Sequence, residues 1–198
     1  MNYAIIGFGK IGHALARAFA RNGIEVSVAT TRDPASFAAD AAAIGPMIVP
    51  RTLAEAVEAD IIFLAVRFES HPEVAKALPD WKGKTIIDAM NTLAPLDELD
   101  DLPSSAFVAK AFTGAQLVKG FNHLVAGVLD QDPAVHGGRR VVFLASDDDD
   151  AATEVGALAE RLGFAPVKLG GLSEGGLLVH ARGNSWGHLI FKDLVKFD

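Results

Sequence analysis

Three observations predict an α/β fold built on a doubly wound, mostly parallel sheet. Short apolar runs alternate with longer segments of helical period, the pattern of a sheet covered on both faces. Two of those runs, Asp60–Val66 (DIIFLAV) and Lys84–Met90 (KTIIDAM), are nearly continuous in apolar residues, as strands buried on both sides require. The first run, Tyr3–Phe8 (YAIIGF), ends in glycine and leads straight into a helical pattern.

Each element has its own signal. After the first strand, Ile11, Leu15, Ala18 and Phe19 recur at three- and four-residue steps, one face of a helix that Gly23 ends with a left-handed turn. Ile24–Thr30 (IEVSVAT) alternates as a second strand. Asp33-Pro34 reads as an N-cap and first helical proline, opening an alanine-rich helix to about Ile44. Later strands are expected at Ala115–Phe121, Arg139–Ala145 and Ala165–Gly170. Helices are expected over Val74–Leu78, within Ser104–Phe112 and Leu124–Leu129, and over Ala151–Leu162. The tail from Leu172 to Val195 reads as a final helix interrupted by glycines. The run Asp147–Asp150 precedes a helix, where carboxylates cap amides and complement the dipole. It lacks the spaced ligands of a calcium loop.

A length of 198 residues suits one domain, or one with a small appendage. We divide it softly into residues 1–120, a nucleotide-binding domain, and 121–198, a small C-terminal lobe on the same sheet. The absence of cysteine excludes disulfides, thiolate metal sites and a cysteine nucleophile. A strand beginning at Tyr3 leaves no room for a leader, and no run approaches the roughly 20 apolar residues of a membrane span, so a cytoplasmic protein is expected. With 25 acids against 18 bases, the formal charge of −7 argues against binding nucleic acid or an anionic membrane.

The turn Gly7-Phe8-Gly9-Lys10-Ile11-Gly12 (GFGKIG) fits the dinucleotide fingerprint of Rossmann-type folds, in its required place between strand and helix. Gly7 permits the tight turn, Gly9 lets the backbone approach a pyrophosphate, and Gly12 allows the helix to pack on the strand. Amides at Gly9, Lys10 and Ile11 then face an anion at the positive helix end. An ordinary strand-to-helix turn is the plainer alternative.

In such folds an acid about 20 residues past the glycines accepts hydrogen bonds from the adenosine ribose of NAD. Here Thr31 stands 19 positions after Gly12, within Thr30-Thr31-Arg32. Two hydroxyls and a guanidinium suit the 2′-phosphate of NADP, which a carboxylate would repel. A charge-assisted hydrogen bond contributes about 1.5–3 kcal/mol, roughly a 10- to 100-fold preference. The nearest acid, Asp33, is accounted for as the helix cap. The competing reading of Arg32 is a solvated loop charge.

The stretches IIGFGKIGHALARAFARNGIEVSVATTR, ADIIFLAV, GKTIIDAMN, AQLVKGFNHL and LAERLGFAPVKLGGL span most of the chain. Together they resemble the NADPH-dependent reductases of the deazaflavin coenzyme F420. Relatives of that family include predicted dinucleotide-binding oxidoreductases and the cytosolic domain of the STEAP metalloreductases. The resemblance implies an NADP(H)-dependent oxidoreductase passing hydride between nicotinamide and a flavin or deazaflavin carrier, and it suggests a homodimer. It implies that Gly7, Phe8, Gly9, Lys10 and Ile11 hold the pyrophosphate, and that Thr30, Thr31 and Arg32 take the 2′-phosphate. Ala65, Val66 and Arg67 would lie beneath the riboses. Ala89 to Asn91, with Phe121 and Asn122, would frame the nicotinamide. The family's V-K-A-F-N-T is here Val118-Lys119-Gly120-Phe121-Asn122-His123, and Arg67 and Thr92 replace usual prolines.

No catalytic triad or metal cluster is expected, because hydride transfer between stacked rings depends chiefly on alignment. His123, where threonine is common, is the candidate for the acceptor pocket. His13 reads as a surface residue. His180, Trp186 and His188 either cover that pocket or pack a terminal helix. Asn122 either binds the carboxamide of nicotinamide or ties a loop to backbone. Two other functions compete: an imine or hydroxyacid-type reductase, which would carry a further helical domain of about a hundred residues, and an NADPH-binding redox sensor without turnover.

Overall fold

A computed structural model describes residues 1–182 and 192–197. The chain opens with β1 (Tyr3–Ile6), α1 (Lys10–Arg21), β2 (Val26–Ala29), α2 (Ala38–Ile44), β3 (Ile48–Pro50), α3 (Leu53–Ala56) and β4 (Ile61–Leu64). It continues through α4 (His71–Ala75), β5 (Thr85–Asp88), α5 (Ser104–Ala111), β6 (Gln116–Gly120) and α6 (Ala126–Leu129). The remaining elements are β7 (Ala134–Val135), β8 (Gly138–Ala145), α7 (Asp149–Arg161), β9 (Ala165–Lys168) and β10 (Val195–Phe197).

Six strands run in parallel in the order β3-β2-β1-β4-β5-β6. The order reverses between β1 and β4, and this switch point is where doubly wound sheets open a crevice. Beyond β6 the sheet continues, with β8 antiparallel to it through Lys119 and Ala145. β9 then joins β8 in parallel, and β7 and β10 pair with it antiparallel.

Alternation sorts the strand residues between two layers of core. Ile5, Ile61, Phe63, Ile87 and Val118 join α1 and α7 on one face. Ala4, Ile6, Ile62, Leu64, Ile86 and Leu117 face Trp81, Val108 and Phe112 on the other. This double burial explains the apolar continuity of the runs in the sequence. No helix among the described residues is long and apolar enough to cross a membrane.

The caps lie where the sequence puts them. Asp33 accepts from the Ala35 amide ahead of a short 3₁₀ turn, and Asp148 accepts from Ala151 at the start of α7. The Ala151 amide, and after it the Gln116 side chain, hold the carboxyl of Asp148 below the usual range.

The tail departs from expectation. Of the expected tail helix the described residues show a π-helical turn at Leu172–Gly176, and Val195–Phe197 forms an edge strand; residues 183–191 lie outside the described residues. Gly175 in that turn packs too closely on Leu169 and Ala145 to carry a side chain. Trp186 and His188 lie outside the described residues. The short strands β3, β7 and β10 were not anticipated, and neither was α3. Its signal was nonetheless present: Thr52 and Glu55 form a reciprocal capping box.

Candidate functional site

The site is built at the carboxyl ends of β1, β2, β4, β5 and β6. Gly7 leaves β1 with φ +104°, a left-handed conformation that favours glycine. A side chain at Gly7 would also collide with the main chain of Ala65 and come within 2.9 Å of Val66 N. Gly12 packs so closely that a β-carbon would overlap the Gly7 carbonyl. Gly9 differs from both, because a β-carbon there would meet nothing within 4 Å. Its bareness therefore serves no packing contact.

Gly9 is the N-cap of α1, with no side-chain cap and no acid in the first turn. The first amides of the helix have no intrahelical partner, so the protein leaves a positive helix end exposed. His13 braces the turn: its Nδ1 lies 2.9 Å from Gly9 O, and its ring stacks on Phe8 at 4.0 Å.

Two adjoining cavities flank this turn. One, of about 520 Å³, is lined by Gly7, Phe8 and Gly9, by Thr30, Thr31 and Arg32, and by Ala65, Val66 and Arg67. The Arg32 amide donates to Thr30 Oγ1 at 3.0 Å, leaving the Thr30 hydroxyl proton available to a ligand. The Arg32 guanidinium lies 5.8 Å from the Phe37 ring centroid, an arrangement that restrains it without neutralising it. Among the described lining residues the one carboxylate, Glu73, contacts Lys76 at 2.7 Å.

The second cavity, of about 310 Å³, shares Ala65 and Val66 with the first. Ile11, Ala89, Met90, Asn91 and Asn122 line it, with Leu124 to Ala126 at its edge. Lys10 lies on the far side of the helix end, in a separate hollow with His13 and Arg17. A larger depression, about 670 Å³, sits at the opposite, amino ends of the strands and contains none of the glycine turn.

Phe121 and His123 are placed differently from the sequence reading. Phe121 is fully buried, 5.4 Å from Phe63 and 5.8 Å from Phe164 between ring centroids. It frames no cavity. His123 is 1% exposed and packs against Phe143 at 4.8 Å, lining neither cavity. Burial pushes its pKa down to about 4, against weaker opposition from the Val141 main chain and Asp193. Phe121 adopts φ +63°, an uncommon conformation for a residue other than glycine, so strand alternation does not predict where its side chain lies.

The sequence reading also missed a buried ion pair. Lys119 Nζ lies 3.1 Å from Asp88 Oδ2, both side chains sealed at adjacent strand ends. Opposite charges in two otherwise apolar central strands were the available signal. Lys119 also donates to the Met90 carbonyl. Nearby, His180 Nε2 lies 3.2 Å from Ala94 O, and burial lowers its pKa, with Lys119 adding to the effect.

Residues 2–92, which carry the glycine turn and Thr30–Arg32, match the family model for coenzyme F420-dependent NADP oxidoreductases. A hypothetical protein of Sinorhizobium meliloti, SMa0349, has the same fold at a TM-score of 0.92 and 35% identity, over 99% of this chain and 96% of that one. An Arthrobacter protein proposed as an F420-dependent NADP-reductase superposes with a TM-score of 0.71 at 24% identity, over 87% and 86% of the chains. Human metalloreductase STEAP2 is 30% identical over 173 residues, 85% of this chain and 33% of STEAP2. The chain thus spans about a third of the curated metalloreductases it matches. The fold and the glycine turn are those of a dinucleotide-binding sheet, and the family model that residues 2–92 match is one of NADP oxidoreductases.

Proposed function

We propose that this chain binds NADP(H) across the two cavities and passes hydride between its nicotinamide and a flavin or deazaflavin carrier. The observation that carries the reading is Arg32, held over Phe37 at the end of β2 beside two threonine hydroxyls. The groups present fit the cofactor. Gly9 leaves the space a pyrophosphate needs, and the uncapped α1 supplies amides of the right sign.

In this reading Gly7 to Ile11 hold the pyrophosphate, while Thr30, Thr31 and Arg32 hold the 2′-phosphate. Ala65, Val66 and Arg67 line the ribose path, and Ala89, Asn91 and Asn122 border the nicotinamide. When bound, NADPH supplies a hydride from its dihydronicotinamide ring. The protein's contribution is to orient that ring and keep water from one face, using the apolar walls of Ile11, Ala65, Val66 and Leu124. No acid or base is required at the reacting carbon. Localisation in the cytoplasm and assembly as a homodimer complete the reading, and sedimentation velocity tests the dimer.

Titration calorimetry of Arg32→Ala tests the cofactor. NADPH affinity is expected to fall about 10- to 100-fold, with NADH changed less than about twofold. Equal losses for both would overturn the assignment. NADPH oxidation with flavin and deazaflavin acceptors then separates the carriers, and oxidation with neither would refute the carrier reading.

A further inference from the structure

The hollow of about 410 Å³ beside the glycine turn receives no part of the cofactor in the reading above. Lys10, His13 and Arg17 line it from α1, and Ala126, Gly127 and Asp130 line it from α6 and its end. Positions 10, 13 and 17 are three and four residues apart, so they share one face of the helix. Three bases thus meet one acid, in a chain whose formal charge is −7. The acid is answered within the protein, where Arg17 Nη1 lies 2.9 Å from Asp130 Oδ2. Lys10 has no such partner among the described residues.

His13 is held in a fixed pose. Its Nδ1 faces the Gly9 carbonyl, which only accepts, so Nδ1 carries the hydrogen and Nε2 is the free ring nitrogen. The glycine on the opposite wall has no packing reason to be one. A β-carbon at Gly127 would meet nothing within 4 Å, and alanine is favoured over glycine in a helix. Its bareness keeps the hollow open. The hollow also shares Ala126 with the cavity of about 310 Å³, here the ring cavity. A molecule seated against the nicotinamide there can reach Lys10 and His13 along the surface.

We infer that this hollow is a phosphate subsite for the second substrate, taking the phosphate on the side chain of a flavin-type carrier, with Lys10 and His13 as its ligands. The inference rests on the carrier reading above and adds to it the form of the carrier, a phosphorylated one. The amides at the start of α1 serve the pyrophosphate, so attraction here comes from side chains. A lysine ammonium is a compact partner for phosphate, and an imidazole that gains a proton at Nε2 becomes a second charged donor.

The test titrates FMN and riboflavin, which share a ring system and differ by one phosphate, into the chain saturated with NADP⁺. Quenching of flavin fluorescence gives each Kd without turnover. The wild-type chain is expected to bind FMN at least about tenfold more tightly than riboflavin. Lys10→Gln should bring the two within about threefold of each other, and Gly127→Leu, which fills the hollow, should do the same. His13→Gln should reduce the preference part-way. Added salt should shrink the wild-type preference, because the lysine is exposed. A wild-type ratio near one overturns the inference, as does binding of neither flavin. So does an undiminished ratio in Lys10→Gln and Gly127→Leu, even if Lys10→Gln weakens NADP⁺, since the lysine would then serve the pyrophosphate. Any of these results, with Arg32-dependent NADPH binding intact, leaves the cofactor reading standing. A ratio near one, with NADPH reducing both flavins, leaves the carrier reading standing as well; no NADPH binding by the wild-type chain overturns all three.

Discussion

Lys119 Nζ sits 3.1 Å from Asp88 Oδ2 with the two side chains 1% and 0% exposed, one at the end of β6 and the other at the end of β5. Burial pushes the lysine pKa down and the neighbouring carboxylate pulls it back up. Removing one partner strands the other, so Asp88→Asn should cost about 3–5 kcal/mol in urea denaturation. The double variant Asp88→Asn, Lys119→Met should recover most of that loss, because no charge remains buried. A single variant as stable as the wild type would mean that the pair is not sealed.

The glycines of the turn separate into two kinds. Gly12→Ala places a β-carbon on the Gly7 carbonyl, a backbone clash that relaxation cannot easily relieve. It should destabilise the fold by more than about 2 kcal/mol, outweighing the roughly 1 kcal/mol alanine gains in a helix. Gly9→Ala meets nothing in the protein and has φ −91°, open to any residue. Its stability should stay within about 0.5 kcal/mol of the wild type, while NADPH affinity falls at least about tenfold as the methyl enters the anion's space. Thermal melts and binding titrations on the same samples check both expectations.

His123 should make stability depend on acid. Its pKa is lowered by burial to about 4, whereas the unfolded chain protonates near 6.5. Between those values the unfolded state binds the extra proton, so stability falls as pH drops from about 6.5 toward 4. The loss attributable to this residue should reach about 2 kcal/mol at pH 5. His123→Leu should flatten that part of the profile, read as the difference between wild-type and variant denaturation at pH 7 and pH 5. Parallel profiles would show that the ring is hydrated.

Much of the fold was legible because its signals are local. Strands buried on both faces cannot alternate in polarity, so Ile61–Leu64 and Thr85–Asp88 announced themselves as blocks. Gly7, Gly9 and Gly12 were legible through spacing, and Asp33 through the proline beside it. What escaped depends on contacts distant in sequence. Val195–Phe197 has no period of its own and becomes a strand only by pairing with Gly138–Arg140. Asn122 was legible as a motif residue, but Val179, which accepts from it, lies 57 positions away. Of the two roles weighed for Asn122, the tie to main chain is the one its bond to the Val179 carbonyl displays. Phe121 and His123 were misplaced for a conformational reason. A non-glycine residue at positive φ is uncommon, and nothing in V-K-G-F-N-H announces one.

The bond from Asn122 to Val179, with His180 meeting Ala94, links the late part of the chain to the floor of the ring cavity. Grafting the C-terminal third of a relative onto the rest of this chain would therefore disturb the cavity as well as the tail. Such a chimera would need matched residues at 94 and 122 before these bonds could form again. A change at either end of these two bonds is thus felt at the other.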